Sequence, residues 1–448
     1  MSIEICSIGG YSECGKNCTA VKIDDEVIII DIGLNMENYV KHTQDQYDDV
    51  VKREYNDLLS VNAVPNMSLI KDWKNKVKAI VASHGHLDHI GAIPFVAGQF
   101  PKVPIISTPY TSEILKSILR DERLKIPNRI VAQNPNSKIK ISKNITIELV
   151  YVTHSIPQAS LVVIHTIYGK IVYANDFKLD NTPTLGQKTN IKRLKEISKE
   201  GVKLLISESL YAGMYGKSPS ESIAKQMLKE VVGSINCDGK GIIMTTFASH
   251  IARLKSMIEI GKTLNRKIVF FGRSLDKYVK AAEKLNLVNF TKDVNIYRRR
   301  GEIEKVMNRI NKLGNDKYLI ICTGHQGEER AILSRIADNE LPLKSNRGDL
   351  VIFSCSVIPV ELNKENRKIL ERKLIKKGLR IFPDVHSSGH GYREDYRELI
   401  HLLNPENIVP SHAGHDLAEK LIDLAEEMGY YKNKNIFLME NGKRLKLE

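Results

Sequence analysis

The sequence lacks the features that mark secreted, disulfide-bonded and membrane proteins. None of its six cysteines stands in a CxxC pair, so we expect free thiols rather than a disulfide framework or a cysteine-based metal site. No apolar run is long enough to cross a bilayer, and "MSIEICSIGG" has no basic segment followed by an apolar one. We therefore expect a cytoplasmic protein without a secretion signal or a membrane partner.

Internal repeats, low-complexity tracts and heptad runs are also missing, which excludes repeat proteins and coiled coils. At 448 residues, of which 42% are apolar, the chain is long enough for two domains with sizeable cores. Its formal net charge of +14 favours a polyanionic partner, chiefly nucleic acid. Charge alone does not decide this, because lysine-rich surfaces also occur in thermostable proteins.

Short β-rich segments open the chain and give way to βα units in its middle. "IEICSIGG", "CTAVKID" and "EVIIIDIG" predict strands, and the polar residues 35–75 predict a helical insertion or a flap. Further along, "SESIAKQMLKEVVGSI" and "ASHIARLKSMIEIGKTL" predict helices, while "RKIVFFG" and "KYLIICTG" are apolar runs typical of parallel sheets. Residues 380–448 return to short segments that end in histidines.

Histidines are concentrated in a few short strings. Seven of the 13 lie in "HGHLDH" (84–89), "VTH" (152–154), "DVHSSGH" (384–390) and "PSH" (410–412). Asp31 and Asp176 likewise follow apolar strands, and strand ends are where sites are built in layered α/β folds. A lone histidine there is more often a surface or core residue than a ligand. The HxHxDH spacing differs, because one tight turn can then present nitrogen and oxygen donors to two neighbouring metal ions.

"SHGHLDHIGA" resembles the signature of the metallo-β-lactamase fold, and Asp31, His154 and Asp176 stand in that family's order. The segments "GGYSECGKN", "TTFASHIARL", "RKIVFFGRSL", "TGHQGEE" and "HSSGHG" resemble ribonuclease J of the β-CASP group. His325 in "TGHQGEE" differs from the serine expected in bacterial relatives. We also expect no extra C-terminal domain of the kind those relatives carry, since the sequence stops at Glu448, and in this the short form resembles archaeal members.

The resemblance implies an α/β fold: a metallo-β-lactamase αββα sandwich with an inserted β-CASP α/β domain. We place the first part of the metallo-β-lactamase domain at residues 1–207 and the inserted domain at 208–378. Residues 379–448 would complete the sandwich.

The resemblance also implies a two-metal centre. One ion would be held by His84, His86 and His154, and the other by Asp88, His89 and His412, with Asp176 bridging both. Imidazole and carboxylate ligands suit Zn²⁺, so we expect two zinc ions per chain, with Mn²⁺ or Mg²⁺ as alternatives.

Four residues are expected to act in catalysis besides the bridging carboxylate. Asp88 would act through its metal ion, and Asp31 would hold the histidine turn from behind. His390 would protonate the leaving oxygen or stabilise the transition state, and Glu208 would orient His390. Asp31 and Glu208 could instead be strand-end caps. The metal ions would supply hydroxide at neutral pH for in-line hydrolysis of a phosphodiester with a leaving 3′ oxygen.

The "HSSGH" turn is a candidate pocket for a terminal phosphate. His386, Ser387, Ser388, Gly389 and His390 could bind a 5′-monophosphate through a hydroxyl, an imidazole and successive backbone N–H groups. A pocket so close to the metals would place the 5′ end about one nucleotide away, so nucleotides would leave singly. The alternative is a plain tight turn that only delivers His390.

Further RNA contacts are expected from the middle of the chain. Gly324 and Gly327 in "TGHQGEE" could bind a backbone phosphate at a helix start, although a simple strand-to-helix turn explains them nearly as well. Arg273 and the run 298–300 are candidate tracks for RNA, or ordinary solvated arginines.

These patterns predict a metal-dependent 5′→3′ exoribonuclease acting on single-stranded RNA with a 5′-monophosphate. An endoribonuclease or a DNA nuclease of the same fold is the first alternative, because the same metals cut any phosphodiester. A thioesterase or lactamase fits less well, since such enzymes rarely need the inserted domain or His390. A non-catalytic RNA-binding scaffold would not need every metal ligand. A homodimer is left open.

Overall fold

The computed structural model describes residues 2–44, 54–358 and 360–447, and the part of the 35–75 segment between 45 and 53 lies outside these ranges. Its strands are β1 (Ile3–Gly9), β2 (Cys18–Ile23), β3 (Glu26–Ile30), β4 (Val77–Ala82), β5 (Ile105–Ser107), β6 (Ile130–Ala132), β7 (Ser137–Lys140), β8 (Thr146–Tyr151), β9 (Ser160–Thr166), β10 (Gly169–Ala174), β11 (Val202–Glu208), β12 (Ile242–Thr245), β13 (Lys267–Phe271), β14 (Val294–Tyr297), β15 (Tyr318–Cys322), β16 (Leu350–Phe353), β17 (Arg380–Phe382), β18 (Ile408–Ser411) and β19 (Arg444–Leu447). Its α-helices are α1 (Met36–Gln44), α2 (Tyr55–Ser60), α3 (Leu87–Ile90), α4 (Ile93–Val96), α5 (Pro109–Asp121), α6 (Ile191–Lys199), α7 (Glu221–Gly233), α8 (Ile251–Thr263), α9 (Arg273–Lys284), α10 (Arg300–Leu313), α11 (Ile332–Ala337), α12 (Glu361–Lys376), α13 (Arg393–Leu403) and α14 (His415–Glu427). No helix in these ranges is long and apolar enough to cross a membrane.

Two mixed sheets form a sandwich, which is the architecture expected from the sequence. The first has the strand order β19-β1-β2-β3-β4-β5-β6 and the second the order β18-β11-β10-β9-β8-β7. Alternate residues of β3, such as Ile28 and Ile30, point into the space between the sheets and meet Val162 and Ile206 of the second sheet. Burial of these branched side chains is the main stabilising term for the sandwich.

Helices cover the outer faces of the two sheets. The segment around residues 55–76 packs against the first sheet through Leu58, Ile70 and Trp73, so the described part of the 35–75 segment is helical and joins the core. Helix α5 begins with Pro109, which suits the first turn because its missing N–H would have no partner there.

A third sheet forms the inserted domain. Its order is β14-β13-β15-β12-β16-β17, and every pairing in it is parallel, as the apolar runs predict. Strand β17, which lies beyond residue 378, pairs with β16 in this sheet. The domain rests on α5 through the Tyr110 hydroxyl, which donates to the Tyr278 carbonyl at 3.1 Å. The boundaries at 208 and 378 stay predictions.

The chain then returns to the sandwich. Strand β18 pairs with β11 in the second sheet, and β19 pairs with β1 at the edge of the first. Because β18 and β11 are parallel neighbours, Glu208 and Ser411 face each other at the ends of their strands. This return brings His412 to the same edge as the residues that follow β3, β4, β8 and β10.

Candidate metal centre

The candidate ligands and the supporting residue Asp31 lie at the ends of strands. Asp31 follows β3, Asp176 lies just beyond β10 and His412 follows β18. These three residues have φ values of 58°, 56° and 57°, in the left-handed region that residues other than glycine rarely adopt. Such conformations persist only where the surrounding structure enforces them, and they are frequent at functional sites.

The first half of the centre consists of His84, His86 and His154. His86 Nδ1 lies 3.0 Å from His84 Nε2 and 3.2 Å from His154 Nε2. Asp176 Oδ2 lies 3.3 Å from His84 Nε2 and 3.5 Å from His154 Nε2. All four ligand atoms are within 4.8 Å of one another, which is close enough for a single metal ion.

The second half consists of Asp88, His89 and His412. Asp176 Oδ1 lies 3.3 Å from His89 Nε2 and 3.5 Å from His412 Nε2. Asp88 Oδ2 lies 3.6 Å and 3.8 Å from the same two nitrogens. These four ligand atoms are also within 4.8 Å of one another.

Asp176 links the two halves, because each of its carboxylate oxygens faces a different set of histidines. Its Oδ1 atom is buried and has no hydrogen-bond partner among the described residues. A buried carboxylate oxygen without a partner is costly unless a cation satisfies it. The nitrogen and oxygen donors present here fit Zn²⁺, and they are also compatible with Mn²⁺.

In each histidine of the centre, one ring nitrogen contacts a residue that is not itself a candidate ligand. His89 Nδ1 donates to Asp31 Oδ2 at 2.8 Å, and His154 Nδ1 donates to the Gly389 carbonyl at 2.7 Å. His84 Nδ1 lies 3.1 Å from Ser83 Oγ. These bonds leave the other nitrogen of each ring facing the centre, which is the arrangement that a metal ligand requires.

Burial sets the protonation of the first half. It lowers the pKa of His84 and lowers those of His86 and His154 well below the usual range, so these rings are neutral and can bind a metal ion. In the second half burial also opposes the charged form of His89. The carboxylates of Asp176, Asp88 and Asp31 outweigh it, however, and raise the pKa of His89 well above normal. The second half therefore attracts positive charge strongly.

Sequence reasoning missed several residues that support the ligands. Ser83 donates to Asp31 through both its N–H and its hydroxyl, each at 2.8 Å, so Asp31 holds the histidine turn. Asn17 Nδ2 lies 2.6 Å from His412 Nδ1, and Ser249 Oγ lies 3.2 Å from His86 Nε2. Asn17 stands in the quoted "GGYSECGKN" motif, which is the only signal that could have identified it.

His390 and Glu208 lie beside the metal centre. His390 Nδ1 is 2.8 Å from Glu208 Oε2, while Glu208 Oε1 accepts from the Phe177 N–H at 2.9 Å. Burial opposes protonation of His390, but the carboxylates of Glu208 and Asp176 outweigh it and raise the pKa of His390 to about 9. Cations at the neighbouring ligands would lower that pKa toward neutrality. The pair is thus suited to proton transfer.

The "HSSGH" turn contacts both domains and the first half of the centre. Gly389 needs to be glycine, since an added Cβ would lie 2.7 Å from Ser155 Cβ. Ser388 Oγ accepts a hydrogen bond from the His390 backbone N–H at 3.0 Å, which holds the backbone of His390 in place. Ser387 and Ser388 are buried, and His386 is half-buried.

Comparison with known proteins identifies the family to which the chain belongs. Residues 11–189 match the metallo-beta-lactamase superfamily, residues 239–371 the ribonuclease J beta-CASP domain, and residues 379–439 the Zn-dependent metallo-hydrolase RNA specificity domain. Ribonuclease J of Methanocaldococcus jannaschii is 43% identical over 100% of this chain and 99% of its own length. Ribonuclease J of Pyrococcus abyssi is also 43% identical, over 98% of this chain and 96% of its own length. The chain belongs to the ribonuclease J family.

A solved structure supports the fold of this ribonuclease J family member. A protein of unknown function from Enterococcus faecalis V583 superposes with a TM-score of 0.67 at 20% identity, and all of both chains is covered. The three matched regions together contain every predicted ligand.

The remaining predicted RNA contacts lie in the inserted domain. Gly324 and Gly327 precede α11, which begins only at Ile332, so they are not at a helix start as predicted. Their tight neighbours are protein atoms: a Cβ on Gly327 would lie 2.4 Å from the Asn366 backbone. The packing of this turn thus explains both glycines. His325 is buried beside Phe247, at 4.2 Å between ring centroids.

Arginines line the carboxyl edge of the third sheet. Arg273 is exposed in the first turn of α9, and the arginines at 298–300 are exposed at the start of α10. Arg298 Nη1 lies 3.6 Å from Asp276 Oδ2, and Arg300 pairs with Glu304 at 2.7 Å. Part of their charge is therefore compensated within the protein.

A cavity of about 290 Å³ adjoins the metal centre between the sandwich and the inserted domain. His154, Ser388 and Gly389 line one side of it, and Glu221 and His250 of the inserted domain line another. The "HSSGH" turn, the ligand His154 and the inserted domain therefore border one shared cavity.

Proposed function

We propose that this chain is a metal-dependent 5′→3′ exoribonuclease that prefers single-stranded RNA with a 5′-monophosphate and acts in RNA decay or processing in the cytoplasm. The observation that carries the proposal is the pair of ligand sets sharing Asp176, with His390 and Glu208 beside them. The ribonuclease J relatives and the RNA specificity domain support RNA as substrate. We propose two Zn²⁺ per chain, with Mn²⁺ or Mg²⁺ as alternatives.

The protein residues divide the chemical work. Bound in the two halves, divalent cations would lower the pKa of water from about 15.7 toward about 7 and neutralise charge on the phosphate. His390, with Nδ1 held by Glu208, would present Nε2 to the leaving 3′ oxygen and give it a proton as the P–O3′ bond breaks. Asp31 and Ser83 keep His89 in place during this step.

The position of the "HSSGH" turn supports the proposed 5′→3′ direction of degradation. A 5′-phosphate bound at Ser388 and Gly389 would leave the next phosphodiester at the metal centre, because Gly389 also contacts His154. Hydrolysis there would release a 5′-mononucleotide and leave a new 5′-monophosphate on the remaining RNA. The shortened RNA would again fit the same pocket, so degradation would proceed one nucleotide at a time.

One assay tests the proposal. RNA carrying a 5′-hydroxyl, a 5′-monophosphate or a 5′-triphosphate and labelled in its first nucleotide is digested beside a circular RNA of the same sequence. We expect labelled mononucleotide as the first product, fastest from the monophosphate, with the circle largely intact. Internal fragments from the circle at the same rate would indicate an endonuclease instead, and equal cutting of a DNA version would remove the preference for RNA.

A further inference from the structure

The positively charged side chains of Lys178 and Arg253 are buried and form hydrogen bonds to the "HSSGH" turn. Lys178 Nζ donates to Ser387 Oγ and to the Ser388 carbonyl, each at 2.8 Å. Arg253, which is fully buried on α8 of the inserted domain, donates from Nη2 to the Ser387 carbonyl at 3.2 Å. The turn is therefore held from behind by one cation from each domain.

These contacts fix the direction of two peptide groups. In a trans peptide the N–H points opposite to the carbonyl of the same unit, so the N–H groups of Ser388 and Gly389 point away from the two cations. Neither N–H has a hydrogen-bond partner among the described residues. Successive free N–H groups form a concave site for an anion, and a carbonyl bonded to a cation makes the attached N–H a stronger donor.

His386, Arg253 and Lys178 do not supply free positive charge to the turn. Burial and the neighbouring Arg253 lower the pKa of His386 to about 2, so its ring is neutral. The charge of Arg253 is balanced by Glu221, whose two carboxylate oxygens lie 2.6 Å and 2.8 Å from the guanidinium. The charge of Lys178 is partly balanced by Asp180, since Lys178 Nζ lies 3.9 Å from Asp180 Oδ2. The cations therefore act on the turn through hydrogen bonds rather than through net charge.

We infer that Lys178 and Arg253 are positioning residues for a 5′-terminal phosphate: they hold the Ser387 and Ser388 carbonyls inward and so present the N–H groups of Ser388 and Gly389 to the phosphate. This inference rests on the proposed function, because it assigns a cause to the preference for 5′-monophosphate ends. It also gives the inserted domain, through Arg253, a part in choosing the RNA end.

The test measures binding without hydrolysis. A short RNA with a 5′-monophosphate or a 5′-hydroxyl is titrated by fluorescence anisotropy in EDTA against wild type, Lys178→Met and Arg253→Lys. Lys178→Met keeps the apolar stem but removes the donor, and Arg253→Lys keeps the charge but loses the planar fork. The control is Arg193→Met on α6, which breaks the partly buried ion pair (2.7 Å) between Arg193 and Glu148 of β8.

We expect Lys178→Met to reduce the monophosphate-over-hydroxyl affinity ratio about tenfold, with hydroxyl RNA affected by less than about twofold. Arg253→Lys should reduce the ratio less, and Arg193→Met should leave it unchanged. Thermal melting identifies variants that do not fold. If Lys178→Met does not fold, the affinity ratio of Arg253→Lys tests the inference.

Two results would overturn the inference while leaving the proposed function intact. Folded variants could keep the wild-type ratio, or they could lose affinity for both RNAs equally, which indicates a purely structural role. A wild type that shows no preference between the two RNAs would overturn the proposed 5′-end recognition itself, and the inference with it.

Discussion

The two halves of the candidate metal centre use similar ligands but are supported by different parts of the chain. In the first half, His86 contacts Ser249 of the inserted domain and His154 contacts Gly389 of the "HSSGH" turn. In the second half, His89 contacts Asp31 and His412 contacts Asn17, and both partners belong to the sandwich.

This difference indicates how the inserted domain could influence catalysis. Among the described residues, its hydrogen bonds to the ligand set go to the first half, through Ser249 and His86. Any shift of the inserted domain when RNA binds would then act on the first half, while the second half stays anchored to the sandwich. Variants of the ligands and of their supporting residues test this difference between the two halves.

The largest effect is expected from Asp176→Ala, since Asp176 serves both halves. The variant should lose both metal ions, and its rate of RNA hydrolysis should fall by about 10³-fold or more because the metal-assisted step is gone. Metal analysis by mass spectrometry and an RNA cleavage assay measure the two effects. A variant that retains two ions would show that Asp176 does not bridge them.

His86→Ala and His412→Ala should each damage one half. Because the two ligand sets share only Asp176, we expect metal content to fall by about one ion per chain in each variant, with activity lost in both. If either variant loses both ions, the two halves do not bind their metal ions independently.

His390→Ala should keep its metal and its affinity for RNA but hydrolyse RNA about a hundredfold more slowly, as expected for loss of a general acid. Glu208→Gln is the milder companion, since it keeps a hydrogen-bonding partner for His390 while removing the charge. Single-turnover kinetics with the metal content measured in the same sample separates the roles. Loss of metal from His390→Ala would make His390 a ligand.

The smallest effects are expected from the supporting residues. Ser249→Ala should weaken binding of the ion in the first half about tenfold, and Asn17→Ala should do the same in the second half, because partners of ligands tune metal affinity to this extent. Competition with a chelator measures each loss. Equal effects of Ser249→Ala on both ions would argue against separate support of the two halves.

Much of this centre could be predicted from the sequence. The HxHxDH spacing is local, and Asp31, His154, Asp176 and His412 each follow an apolar strand, so a pattern along the chain reveals them. The all-parallel third sheet was also predictable, since its central strands β13, β15, β12 and β16 are nearly continuous apolar runs.

Contacts between distant segments could not be predicted in this way. Ser249 reaches His86, and Lys178 reaches Ser388, only because the chain leaves the sandwich and returns. A buried arginine such as Arg253 also leaves no local pattern, since its partners Glu221 and Ser354 lie far from it in sequence. The role of the glycines in "TGHQGEE" was hidden for a related reason: α11 does follow this motif, but Gly327 is required by the close approach of α12 rather than by a helix start.

One centre, bridged by Asp176 at the strand ends of the sandwich, is expected to hold two metal ions. Anomalous diffraction from crystals of the zinc-loaded protein, measured on both sides of the zinc absorption edge, tests it most directly. We expect two peaks flanking the Asp176 carboxylate, one among His84, His86 and His154, and the other among Asp88, His89 and His412. A single peak, or peaks away from Asp176, would contradict the account.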